Sequence, residues 1–287
     1  MGTWDRSVSI TRLSMAIMRK DSEMMLFPLL AGLFSILFSV ALIVPTFVLD
    51  VMSQQGDHQD AFGALQAAAL FVVYFGLSFI ATFFNVCVVY TTRVRLSGGD
   101  ATFFDSIKFA LTRIHLIAAW SAVSATVGLI LRSIENAANR AGLAGKLLLW
   151  ALRTILAAGW AIMTVFVIPS MVYRDLGPIA AIRDSLDTLK RTWGDSLIRY
   201  YGVGLVSFVC MLPFFGSFMA GFAVANASGY AALALIVIGF VGILAVSLVF
   251  GVLSTVWKTV LYHYATTGSV PEGFSDQELR SAFVARP

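Results

Sequence analysis

Apolar residues in this chain come in long unbroken blocks, not in the alternating or helically spaced stripes of a water-soluble protein. No Asp, Glu, Lys or Arg falls within residues 24–49, 61–92, 114–131, 154–173 or 200–257. A helix that crosses a bilayer needs roughly 20 apolar residues. The last block, 58 residues between Arg199 and Lys258, has room for two. Asn226-Ala227-Ser228-Gly229, a turn-forming cluster, stands near its middle. The blocks therefore predict an all-α polytopic membrane bundle of six transmembrane helices, the last two forming a tight hairpin. The first block, at 26 residues, exceeds the apolar core of a signal peptide, and no small-residue cleavage site follows it. It is expected to remain as the first span.

Between the blocks the periodicity changes. From Pro178, suited to a first helical turn, the apolar positions Ile179, Ile182, Leu186, Leu189 and Trp193 follow an a/d spacing. Asp187 and Arg191 are placed to pair on the polar side. This predicts an amphipathic helix lying in the membrane interface. A second begins near Asp100, a suitable N-cap, with Phe104, Ile107, Leu111 and Ile114 on one face. A third, looser stripe places Trp4, Val8, Met15 and Met18 in the N-terminal segment. Each of the three precedes a spanning hairpin, and each carries a similar tripeptide: Arg6-Ser7-Val8, Asp105-Ser106-Ile107 and Asp184-Ser185-Leu186. The pattern predicts one membrane domain over residues 1–260, built from three repeats at 1–95, 96–173 and 174–260, with a short cytoplasmic tail at 261–287.

Composition agrees with this reading. Apolar residues are 59% and charged residues 13%, about half the charged share of a soluble domain. The net charge of +4 points to lipid headgroups, not nucleic acid, because the basic residues flank apolar spans. With the N-terminus in the cytoplasm, 16 of the 20 Lys and Arg fall on the cytoplasmic side, as the positive-inside rule requires. Both termini are then cytoplasmic. The exceptions are Arg132, Arg140, Lys146 and Arg153, opposed only by Glu135, in the second outer segment. Arg132, Asn139, Lys146 and Arg153 recur every seven residues and would share one stripe of a continuous helix, which Gly142 and Gly145 disfavour. These cations either line an aqueous vestibule or reach outward to lipid phosphate.

Catalytic and metal-binding patterns are not found. No Asp or Glu lies inside a span, His58, His115 and His263 are scattered, and no P-loop is present. No cofactor or metal is expected, and enzymatic activity is the least favoured reading. Cys87 and Cys210 differ in depth by roughly 7 Å at 1.5 Å per residue, too far for a disulfide. Asn85, with Thr82 a turn before it, reads as an interhelical hydrogen-bonding group. Ala118, Ala122 and Thr126, Ser124 with Gly128, and Ser247 with Gly251 form small-residue ridges suited to helix contacts. Kinks are expected at Pro45, Pro169 and Pro213.

Two passages carry a resemblance. Leu26-Phe27-Pro28-Leu29-Leu30 opens the first span. Pro169 is followed by Asp175-x-Gly177-Pro178-Ile179-x-Ala181-Ile182-x-x-Ser185, leading to Trp193-Gly194. The chain resembles a group of uncharacterised prokaryotic six-helix membrane proteins, known as a domain of unknown function. It is more distantly similar to the membrane domain attached to some glycerophosphodiester phosphodiesterases. The resemblance implies six helices, cytoplasmic termini and an interfacial helix opened by Gly-Pro; it carries no activity, because the phosphodiesterase barrel is absent. Two functions remain open. One is a passive, homo-oligomeric channel for small anions, with Arg132, Arg140, Lys146 and Arg153 at its mouth. The alternative is a membrane-organising or partner-binding scaffold acting through its amphipathic cytoplasmic helices.

Overall fold

The computed structural model describes residues 21–53, 59–193 and 202–269, preceded by Thr11, Ser14, Met15 and Met18. Trp4 and Val8 of the N-terminal amphipathic stripe, residues 54–58 of the first outer loop and the C-terminal tail beyond Ser269 lie outside the described residues. After a 3-10 turn at Ser22–Met25 come α1 (Leu26–Ser53), α2 (Gln59–Leu96), α3 (Phe103–Thr112), α4 (Ile114–Arg140) and α5 (Leu143–Met163). They are followed by α6 (Val167–Arg174), α7 (Pro178–Trp193), α8 (Gly202–Ala223) and α9 (Gly229–Thr267). Among the described residues no strand occurs. Six segments are long and apolar enough to cross a membrane: Glu23–Leu42, Ala68–Leu96, Ile114–Arg140, Leu143–Arg174, Val206–Ala223 and Gly229–Thr267. Their outward side chains are large and apolar, as lipid contact requires. The chain is a multi-pass helical membrane protein.

Local chemistry accounts for the breaks. Pro169 has no N–H to give to the carbonyl of Val165, and its ring crowds that turn. The fourth span accordingly leaves α geometry at residues 164–166 and restarts as α6. Helices α1 and α8 run on through Pro45 and Pro213. Between α8 and α9 the predicted turn is present at residues 224–227. Ser228 caps α9 there, its hydroxyl accepting the Ala231 N–H at 3.4 Å. Helices α4 and α5 are separated at Ala141 and Gly142, so Arg132 and Asn139 stand on one helix while Lys146 and Arg153 stand on the next. The predicted seven-residue stripe is therefore divided.

The chain divides into two compact units. The first comprises Met1–Pro28, Thr91–Phe103 and Leu189–Pro287. Within it α8 and α9 approach backbone to backbone: a Cβ placed on Gly239 would lie 2.5 Å from the Phe218 nitrogen and 2.7 Å from the Phe214 carbonyl oxygen. Ser217 Oγ also donates across the hairpin to the Leu235 carbonyl at 3.0 Å. The two halves of α9 differ. Leu233, Val237, Phe240 and Val241 are exposed, whereas Val252, Leu253, Val256, Trp257 and Val260 are buried. At 39 residues and about 1.5 Å each, α9 is nearly twice as long as a bilayer core of roughly 30 Å. It therefore has a lipid-facing half and a protein-packed half.

The second unit comprises Leu29–Tyr90 and Phe104–Thr188. Its core is Trp120, Val167, Met171 and Ala181, with Leu116, Trp160, Leu176 and Ile182 packed around them. Trp120 and Trp160 stack nearly parallel at 5.7 Å and join α4 to α5. Gly128 lies against the Tyr74 ring. Nothing approaches Gly251 within 4 Å of its Cβ position, so the close helix contact in α9 runs through Gly239 instead.

Candidate functional site

The densest buried polar chemistry in the second unit is where α6 turns into α7. Asp175 ends α6 in the left-handed conformation (φ 56°), which frees the chain to reverse. Gly177 and Pro178 then open α7. From that geometry, Asp184 and Ser185 are carried inward nearly two turns later. Ser170 Oγ donates to Asp184 Oδ2 at 2.7 Å, and Arg174 Nη1 donates to Oδ1 at 2.6 Å. Ser185 Oγ accepts the Phe166 N–H at 3.1 Å. That N–H lies at the break in the fourth span, where the regular helical ladder is interrupted. Arg113 Nη1 reaches Asp175 Oδ2 at 2.7 Å. The buried side of α7 is thus Ala181, Asp184, Ser185, Thr188 and Leu189, spaced as one helical stripe.

The passage from α2 into α3 has the same parts. Shifted by 79 positions, Val88 matches Val167, Thr91 matches Ser170, Arg95 matches Arg174 and Gly98 matches Gly177. Asp105-Ser106-Ile107 then matches Asp184-Ser185-Leu186. Burial follows the register: Cys87 and Phe166, Thr91 and Ser170, Ser106 and Ser185, and Ala110 and Leu189 are all buried. A contact between the matching positions recurs, through different atoms. The Cys87 thiol donates to the Ser106 carbonyl at 3.6 Å across 19 residues, the same separation as Phe166 to Ser185. The Tyr90 ring stacks on Phe109 at 4.3 Å. The partner of the arginine differs. In the first unit Arg95 holds Asp21 with Nε and, at 2.7 Å, with Nη2, and it reaches Asp100 at 2.5 Å. Beside it, Glu23 accepts the Phe103 N–H at 2.9 Å, and Phe27 stacks on Phe103.

Of the predicted interfacial face, Leu189 is buried, Ile182 packs on the Trp120 core and Leu186 is half-buried. Ile179 is 61% exposed, and the side chain of Trp193 lies outside the described residues. In the basic outer group Arg132, Arg140 and Lys146 are exposed. Arg153 pairs with Glu135 at 3.2 Å, with both side chains over a third exposed. Among the described residues the other three have no carboxylate partner. The four are not gathered on one helix. Cys87 is buried and Cys210 exposed, and neither is in a disulfide. Among the described residues no three His, Cys, Asp or Glu side chains stand close enough to ligate a metal. Periodicity missed Asp184, Ser170 and Thr91, because a polar residue facing inward breaks the apolar stripe by which a buried face is read. Comparing the sequence with itself at a shift of 79 would have found them.

No curated protein matches this sequence. Residues 64–273 match a family of unknown function, DUF6159. The match takes in both passages from spanning helix to short helix, and the chain belongs to that family.

Proposed function

We propose that this protein is a non-enzymatic, membrane-organising component of a prokaryotic inner membrane. Its termini are cytoplasmic, and it acts through α3 and α7 at the cytoplasmic leaflet. The observation that carries the reading is the duplicated passage itself. In each copy a short helix carries a buried serine on the side that contacts the spanning segment before it. The other side is left exposed and carries basic residues, Lys108 on α3 and Arg183 and Lys190 on α7. Anionic headgroups attract such residues by about 1 kcal/mol each. On this reading the passages belong to a helix-hairpin repeat. The distant likeness to phosphodiesterase membrane domains adds only architecture.

A second reading, a homo-oligomeric anion channel, is favoured by the exposed Arg132, Arg140 and Lys146, which would raise anion concentration at a mouth. Purified protein in liposomes separates the two. The organising reading expects no salt flux above empty vesicles and a measurable ordering of anionic lipid. Chloride-selective conductance that Arg153→Glu shifts toward cations would replace it with the channel.

A further inference from the structure

The two short helices share a register and a buried serine but present opposite chemistry outward. On α3 the exposed face is Phe104 (78% exposed), Lys108 and Leu111 (52%), continued by the exposed Ile114 at the start of α4. Phe104 and Leu111 are seven residues apart, two turns along one face, with Lys108 between them. Asp105 stands about 100° round the helix, at the edge of that face. Shifted by 79 positions, the same places on α7 are Arg183, Asp187 and Lys190, all exposed. Among the described side chains of α7, none of the large apolar residues beyond Ile179 in its first turn is fully exposed.

We infer that α3 inserts its Phe104–Lys108–Leu111 face into the lipid interface, while the corresponding face of α7 stays in water. The occupant is the anionic leaflet, and chain continuity argues for it. The span before α3 ends at Leu96 and the next begins at Ile114, so both ends of this ten-residue helix are held at the membrane boundary. Phenylalanine and leucine at that level seat among the upper acyl chains. Lys108 runs its aliphatic stem along them and puts its ammonium at the phosphates. On α7, alternating Arg183, Asp187 and Lys190 would lose hydration in the same position, so that face stays solvated. The inference rests on the leaflet reading above and specifies which helix inserts among the acyl chains, Arg183 and Lys190 of α7 facing the headgroups from the aqueous side.

Spin labels decide it. Single cysteines would replace Phe104, Leu111, Arg183 or Lys190, with exposed Cys210 replaced by Ala, in the full chain in vesicles of phosphatidylglycerol and phosphatidylethanolamine. Labels at 104 and 111 should collide several-fold more with dissolved oxygen than with an aqueous nickel chelate, and labels at 183 and 190 should reverse that preference. Equal accessibility to the chelate at all four positions overturns the inference. Native Phe104 is covered by a second measurement: Phe104→Asp with Leu111→Asp should leave detergent stability unchanged and abolish oxygen preference at a label on Lys108→Cys. A label whose preference does not move also overturns it. Water-exposed labels in vesicles whose lipid is still ordered refute the inference alone, whereas lipid-seated labels in anion-conducting vesicles refute the leaflet reading alone.

Discussion

The α2–α3 and α6–α7 passages share a register, a buried serine and an arginine, yet they lock that arginine by different means. Arg174 is held by Asp184, ten residues on, with Ser170 on the same carboxylate. Arg95 is held by Asp21, 74 residues back, and by Asp100. Asp105, which matches Asp184, is exposed. A partner ten residues away closes with little loss of chain entropy, whereas a distant one must bring a long segment home. The arginine lock of the second passage is therefore local, although Arg113 reaches Asp175 from 62 residues away. The first depends on the segment before α1, with Glu23 on the Phe103 N–H and Phe27 on the Phe103 ring in support. A duplicated element can thus keep its geometry while one copy transfers its charge partner to another part of the chain.

Replacing the carboxylates that match in register should give the largest contrast. Asp184→Ala removes the acceptor of two hydrogen bonds from a buried site and leaves the Ser170 hydroxyl unsatisfied. The expected loss is about 2–4 kcal/mol, since a buried donor without a partner costs 1–3 by itself and Arg174, half-exposed, can rehydrate. Asp105→Ala should cost no more than about 1 kcal/mol, the worth of an acidic residue in a first helical turn. Unfolding midpoints in mixed detergent micelles measure both. Equal losses would mean that the two aspartates do the same work.

The next contrast lies within the first passage. Asp21→Ala breaks a two-pronged pair in which the carboxylate is buried, and should cost about 2 kcal/mol. Arg95→Lys should cost nearly as much, because a lysine cannot make the forked contact. Asp100 is 75% exposed on its side chain, so Asp100→Ala should change stability by under about 0.5 kcal/mol. A large effect at Asp100 with none at Asp21 would reverse the assignment of the long-range lock.

Residues that obey one-dimensional rules were legible in the sequence. The six spans, the turn at Asn226–Gly229 and the start of α7 at Pro178 follow from block length, turn chemistry and fixed proline φ. The shared Asp-Ser pair was also visible as a tripeptide. Hidden features depend on partners far along the chain. Nothing near Asp21 in sequence announces Arg95, and nothing in the spacing of Ile179, Ile182 and Leu186 says that Asp184 and Ser185 face inward. Gly239 looks like any other glycine in an apolar block until Phe214 and Phe218 lie across it. The basic outer group was legible as composition only, because the break at Ala141 and Gly142 puts its members on two helices.

The smallest contrast tests whether the two passages turn by the same backbone route. Gly98 and Gly177 match at the shift of 79, and a Cβ on either would meet nothing within 4 Å, so space does not distinguish them. Conformation does. Gly98 has φ 78°, where a side chain is strained, whereas the left-handed residue of the second passage is Asp175, two positions before Gly177. Gly98→Ala should therefore cost about 1 kcal/mol. Gly177→Ala should be neutral or slightly stabilising, because alanine restricts the unfolded chain without strain in the folded one. A difference of this size is within reach of paired unfolding curves in one detergent mixture. Equal costs would mean that both copies turn through the same conformation, and the offset between Gly98 and Asp175 would then have no energetic meaning.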